Sequence, residues 1–477
     1  MLADQLGIVA RSPSELVEVL RADGRRAVLV LPGLHEAADA EGVAAWVHAL
    51  AGVEQVRLLV EVVSGHPVLS QLSDAPAAVM DLDEPRWTDP LREAPVVDPA
   101  RQAWRSVVGA RDSPETDLGD PVAVCSADPV GVSTAYESAV GDHGGLRSAW
   151  LRAGQALVRE QDPAVRALIL RSALGDGSDP RVDAALASCA AGTPWEVVWR
   201  RTSGDIVPPW PGPVVALATT GGSWRGTAAL ADHSGVLRTV SLADAAPIGR
   251  LARRVPQATA LCALPDGALW ALDASGLLHI AQLPVHRPVS GLAALLDDVP
   301  GPAEQIRDVL AAVLARRPGT ALAMTGRVAA VADGQGAVHS LECGGLGAGV
   351  TAAALHDGPV TALAAVDLPV GGGAEWTTLL YSGGFDGRVR LWAPGQEPMA
   401  RPVVQRGCPV TALSAVRTAD GLVLAVGWAD GLIGYHRVDS GEVRAFRTGA
   451  EVSALAVTIE GSLVFGTRDR VCCLHPR

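Results

Sequence analysis

Along the first ninety residues, short unbroken aliphatic runs alternate with segments whose apolar positions recur at helical spacing. The runs are 27–31, 56–63 and 77–82. Ser12 or Ser14 can cap a helix reaching about Arg21, and residues 39–50 carry a second helical pattern. Strands without polar alternation, separated by helices, predict a parallel sheet covered on both faces. Residues 91–143 are rich in Pro, Asp and Gly and are assigned as loop. Residues 144–194 read as a connector of three helices, 145–159, 163–175 and 180–191, each bounded by Gly or Asp-Pro. Then Pro208-Pro209-Trp210-Pro211-Gly212-Pro213 holds the chain extended, and the pattern changes to short strands alternating with Gly/Asp turns.

In that second half the chain repeats itself. An Ala-Leu pair inside a β-prone run recurs at Ala216, Ala260, Ala321, Ala362, Ala412 and Ala454, at intervals of 44, 61, 41, 50 and 42 residues. Each run is followed by a second β-prone run ending in a turn aspartate: Asp232, Asp273, Asp333, Asp386, Asp430 and Asp469. A third β-prone run follows each turn at once. Periods of this length mark repeat architectures. A small twisted sheet cannot bury both faces alone, but six sheets packed radially bury one another, and the crowded axis favours small and β-branched residues. The turn aspartates accept backbone N–H groups and glycine supplies positive φ. The last repeat is one strand short, so Trp195, Val197 and Trp199 of the run 195–201 are predicted to supply it and close the ring. Six blades are counted. Seven is the alternative, because the 61-residue interval has room for a degenerate one. That interval also holds a helical pattern at 302–317, with Ile306, Val309, Leu310 and Val313 on one face, which either packs on the propeller or binds a partner.

Ser382-Gly383-Gly384-Phe385-Asp386-Gly387-Arg388-Val389-Arg390-Leu391-Trp392 resembles the signature of WD-repeat β-propellers, with Asp386 in the turn and Trp392 closing the third strand. The other five repeats match only the turn aspartate. In the first half, the strand 27–31 followed by Pro32, Gly33, Leu34, His35 and Glu36 is similar to the Walker B strand of STAND-type signalling ATPases, which often carry C-terminal WD repeats. The departures are large. Pro32 stands where that family has its magnesium-binding aspartate, His35 replaces the second acid, and only Glu36 remains. The resemblance therefore implies a degenerate, catalytically dead module and, by analogy, a bacterial signalling or conflict (defence) setting.

The resulting fold class is multidomain, α/β plus all-β. It comprises a parallel α/β fragment (1–90), a loop-rich segment (91–143), a helical connector (144–194) and a WD-repeat-like propeller (195–477). All 39 basic residues are arginine, so chemistry that needs a lysine, such as the phosphate loop or a Schiff base, is excluded. Net charge is −13, of which residues 1–194 carry −12. Nucleic acid and anionic membrane are therefore not expected partners. Seven cysteines with no CxxC spacing indicate a reducing, cytoplasmic setting, and no signal peptide or membrane span is expected. No metal, cofactor or catalytic constellation is predicted. His35 beside Glu36 reads as a surface turn. Arg406, Arg437, Arg444 and Arg447 either meet an acidic partner or form solvated faces. The function expected is a non-enzymatic scaffold that binds protein partners. The alternatives are a nucleotide sensor without hydrolysis in the first module and an enzyme with a site on the propeller loops.

Overall fold

The computed structural model describes residues 12–22, 27–31, 33–37, 39–53, 56–63, 65–72, 116–160, 162–202, 214–264, 266–283, 302–344, 349–370 and 375–477. The chain forms two compact units, Met1–Asp112 and Ser113–Arg477.

In the first unit, helices α1 (Pro13–Ala22), α2 (Ala40–Ala51) and α3 (Val68–Leu72) accompany two strands, β1 (Ala27–Leu31) and β2 (Val56–Val60). The strands are parallel, in register from Ala27↔Val56 to Leu31↔Val60. Leu16, Val17, Leu20 and Leu50 of the helices pack on Leu29 and Val56. Successive strand residues point to opposite faces. Val28, Val30 and Leu59 on the other face are 71, 59 and 64% exposed. Among the described residues only one face is covered, which corrects the expectation of two: the helices all meet the Leu29 face. The strand expected at 77–82 and the proline run 208–213 lie outside the described residues.

The second unit opens with helices α4 (Pro121–Ser126), α5 (Pro129–Ser138), α6 (Leu146–Arg159), α7 (Pro163–Ala173) and α8 (Pro180–Cys189). Four of them start at an Asp-Pro pair. The carboxylates of Asp120, Asp128, Asp162 and Asp179 accept from the N–H of Val122, Gly131, Ala164 and Arg181, and proline takes the first helical position. Residues 121–126 and 129–138 are thus helical where a loop was expected. The same dipeptide that reads as a helix start at 162 and 179 reads as loop punctuation at 120 and 128 once Gly and Asp crowd around it.

Six blades follow. Blade 1 is β4 (Val214–Thr219), β5 (Thr227–Asp232), β6 (Val236–Ser241) and β7 (Pro247–Arg254). Blade 2 is β8 (Ala258–Ala263), β9 (Ala268–Asp273) and β10 (Leu278–Gln282). Blade 3 is β11 (Gly319–Met324), β12 (Val328–Asp333), β13 (Ala337–Glu342) and β14 (Thr351–Ala354). Blade 4 is β15 (Val360–Val370), β16 (Glu375–Gly384), β17 (Arg388–Trp392) and β18 (Val404–Gln405). Blade 5 is β19 (Val410–Thr418), β20 (Gly421–Trp428), β21 (Leu432–Arg437) and β22 (Glu442–Arg447). Blade 6 is β23 (Ala454–Val457), β24 (Leu463–Gly466) and β25 (Arg470–Pro476), joined on its outer side by β3 (Trp195–Thr202). All of these neighbours are antiparallel. Between blades 2 and 3 the long interval forms helix α9 (Pro302–Leu314), whose Ile306, Leu310 and Leu314 pack against Trp270, Leu272 and Leu322.

β3 pairs with β25 from Trp195↔Pro476 to Arg470↔Thr202. Trp195, Val197 and Trp199 of β3 are all buried. Trp195 meets Tyr435 of blade 5 edge-on, with ring centroids 5.3 Å apart, and donates its indole N–H to the Ala445 carbonyl. Trp199 donates to Leu242 of blade 1. One strand therefore touches the blades on both sides of the ring joint. The helices belong to the same body. Leu146, Trp150, Leu157 and Leu168 share one core with Tyr435, Phe446, Phe465 and Leu474.

Candidate functional site

The inner strands of all six blades line an axial channel of about 70 Å³, well below the roughly 300–1,000 Å³ of small-molecule pockets. The sequence repeat has a geometric meaning here. In five blades the residue before the Ala-Leu pair is skipped in the strand pairing, between Val214 and Ala216, Ala258 and Ala260, Gly319 and Ala321, Val360 and Ala362, and Val410 and Ala412. The skipped residue is a β-bulge. Thr361 uses its hydroxyl to donate to the Val410 carbonyl of the next blade at 2.5 Å, and Ser453 does the same to Val214, across the ring joint. The lining is aliphatic apart from such hydroxyls: Thr259, Thr361, Thr411 and Ser453.

The turn aspartates are anchored by their own turns. Asp232, Asp273 and Asp333 each accept from the N–H groups two and four residues on. The other carboxylate oxygen meets the side chain six residues on: Arg238 at 3.9 Å, His279 at 2.7 Å and His339 at 3.1 Å. Burial alone would raise the Asp273 and Asp333 carboxyls. The hydrogen bonds outweigh it, from Ser275 and His279 at one and His339 and Ala337 at the other, and both are held below the usual range. This Asp-to-His/Arg spacing of six is a signal that a search for turn acids alone passes over. In blade 6 the turn is different: Asp469 accepts from Thr467 Oγ1.

Blade 4 brings together a hydroxyl, an imidazole and a carboxylate. His356 lies 2.9 Å through Nε2 from Ser382 Oγ and 3.0 Å through Nδ1 from Asp386 Oδ1. The order matches that of a hydrolase relay, but the His356 side chain and Ser382 are both fully buried. No approach to Ser382 Oγ is open to a substrate, and the chain of bonds ties the incoming connection to strand β16. A Cβ at Gly384 would strike the His356 ring. His356 stands thirty residues before Asp386, a separation the repeat period does not mark. Trp392 is buried at 3% and donates to Gln396 O at 2.9 Å. The turn itself leaves Phe385 65% exposed.

At blade 5, Arg406 holds Asp430 with two parallel bonds of 3.0 and 2.8 Å and lies 5.0 Å over the Trp428 ring. Arg447 adds a bond of 3.3 Å. The Arg406 bonds, foremost, hold the Asp430 carboxyl well below the usual range. Arg437 and Arg444 pair with Glu442, at 3.6 and 2.6 Å. The four late arginines are thus bound within blade 5 rather than forming solvated faces.

In the first unit, β1 leads into a turn in which Gly33 has φ 58° and residues Leu34–Glu36 form a single 3-10 turn. His35 is half-buried, its ring 6.0 Å from that of His66. Pro32 and the Glu36 side chain lie outside the described residues. No group of three or more metal-ligating side chains occurs among the described residues. All seven cysteines are free. Burial pushes the Cys262 and Cys472 thiols up to about 12. No helix among the described residues is long and apolar enough to cross a membrane. No protein-family model matches the chain, and no curated protein matches it in sequence.

Proposed function

We propose that this chain is a non-enzymatic, cytoplasmic scaffold that docks protein partners on its propeller. The observation that carries the reading is Phe385. It projects from a turn whose backbone is fixed on both sides, by the Phe385 N–H bond to Pro359 O at 3.0 Å and by the buried His356–Asp386 bond. A large aromatic held rigidly in water is the form of an interface anchor, because its ordering cost is already met before binding. The turn acids and Arg406, Arg437 and Arg444, by contrast, are occupied within the fold. The buried Ser382–His356–Asp386 chain and the adjacent Trp392 favour reading blade 4 as a WD-type repeat. The parallel β1–β2 pair favours an ATPase-derived first module that has lost its chemistry, in the bacterial signalling or defence setting that such a layout implies.

Affinity capture from the native host with the full chain, residues 113–477 and Phe385→Ala tests this. A partner held by the first two and lost by Phe385→Ala, at unchanged melting temperature, is the expected result. Equal capture by all three removes Phe385 as the anchor. A melting shift with millimolar ATP or GTP and Mg²⁺ would favour the nucleotide-sensor alternative instead.

A further inference from the structure

Helix α6 crosses the turns of blades 5 and 6, and there positive charge accumulates in a molecule whose net charge is −13. Asp430 is met by three guanidinium groups: Arg406 at 2.8 Å, Arg447 at 3.3 Å and Arg159, from the last turn of α6, at 3.8 Å. The Thr448 carbonyl, next along the chain from Arg447, accepts from Arg470 Nη2. Arg470 is only 3% exposed, and its Nε and Nη1 have no hydrogen-bond partner. The acid beside it, Asp469, is engaged by Thr467 and lies 3.8 Å from Arg152 of α6. Five guanidinium groups and two carboxylates take part in these contacts.

The donors are unevenly used. Arg406 is saturated on the Asp430 side. Arg447 has one bond there, and Arg159, whose side chain is 62% exposed, makes an ion pair at a distance too long for a hydrogen bond. Glu160, beside Arg159, accepts from the Asp162 N–H through Oε1. Guanidinium forks approaching from two elements suit a tetrahedral oxyanion.

We propose that the seam between α6 and the blade-5 turn binds a phosphate group, with Arg159 and Arg447 as its direct ligands. Asp430 and Arg406 hold the donors in place, and buried Arg470 strengthens the field from behind. The site does not depend on the Phe385 surface. The phosphate belongs either to free inorganic phosphate or to a phosphorylated segment of a protein partner.

The test is calorimetric titration of the intact protein with sodium phosphate at pH 7.5, with ionic strength held constant by sodium chloride. One saturable site is expected, weakened about tenfold by Arg447→Gln and by Arg159→Gln, since a charge-assisted bond is worth about a factor of ten or more. Arg225→Gln, whose partner Glu460 is at 3.0 Å on another part of the ring, should bind as the parent does. Arg159→Gln removes no hydrogen bond from the fold, so it carries the test if Arg447→Gln unfolds. Heats that do not saturate, or Arg159→Gln and Arg447→Gln variants that bind phosphate as the parent does, overturn the proposal. A phosphoserine peptide that binds at least tenfold tighter than inorganic phosphate, with its unphosphorylated twin silent, identifies the source as protein. Equal affinity of peptide and inorganic phosphate identifies free phosphate.

Discussion

Gly336 shows how tightly the blade turns are built. Its φ is +92°, and a Cβ there would overlap the His356 carbonyl of the returning connection, while Leu355 donates to Gly336 O at 2.8 Å. An alanine would carry the left-handed strain of about 1–2 kcal/mol and a collision with main chain as well. Gly336→Ala is therefore expected to cost at least about 2 kcal/mol, read as a lowered midpoint in urea at unchanged slope. A midpoint equal to that of the parent would show that the connection yields freely. The turn aspartates were legible as turn formers because a carboxylate two residues ahead of an N–H has one economical use. The side chains they also grip were not, with the histidine six residues on overlooked and His356 arriving from a distant loop.

At the level of the element, the recurring Ala-Leu run is a strand with a bulge, and at Thr361 the bulge aims a hydroxyl at the neighbouring blade. Blades packed by Ala and Leu alone would be free to slide along one another. A bond from Thr361 to Val410 O fixes their height. Thr361→Val keeps the shape and leaves the buried carbonyl without that donor. A loss of about 1 kcal/mol is expected in thermal melts, and a neutral result would mean that packing alone sets the height. The Asp-Pro helix starts teach a related lesson. At 162 and 179 the apolar face beyond the proline was long enough to be read as a helix. At 121–126 only six residues follow before the next cap, too few for a periodicity to declare itself.

Across the whole second unit, its helices and the ring are one body. Tyr136 and Trp150 lie in the same core as Phe446 and Phe465, and Arg200 on the closing strand reaches back to Leu174 O and Asp183. A fragment of residues 195–477 would keep all six blades and expose that core, whereas 113–477 would keep it closed. The longer fragment is expected to unfold cooperatively without binding a hydrophobic dye. The shorter one is expected to bind dye and aggregate. Matching melts for the two would show that the helices merely rest on the ring.

Sequence alone determined the repeat, the position of each turn and the origin of the closing strand, because each depends on a local pattern or on completing a period, while it left six and seven blades as alternatives that the structure resolved to six. It also determined what chemistry is unavailable, since no lysine exists to perform it. Only the tertiary structure decided that the helices share the propeller's core, that one face of the first unit's sheet stands bare among the described residues, and that three arginines from separate segments converge on Asp430. Those facts concern residues distant along the chain, and distance along the chain carries no periodicity to betray which of them will meet.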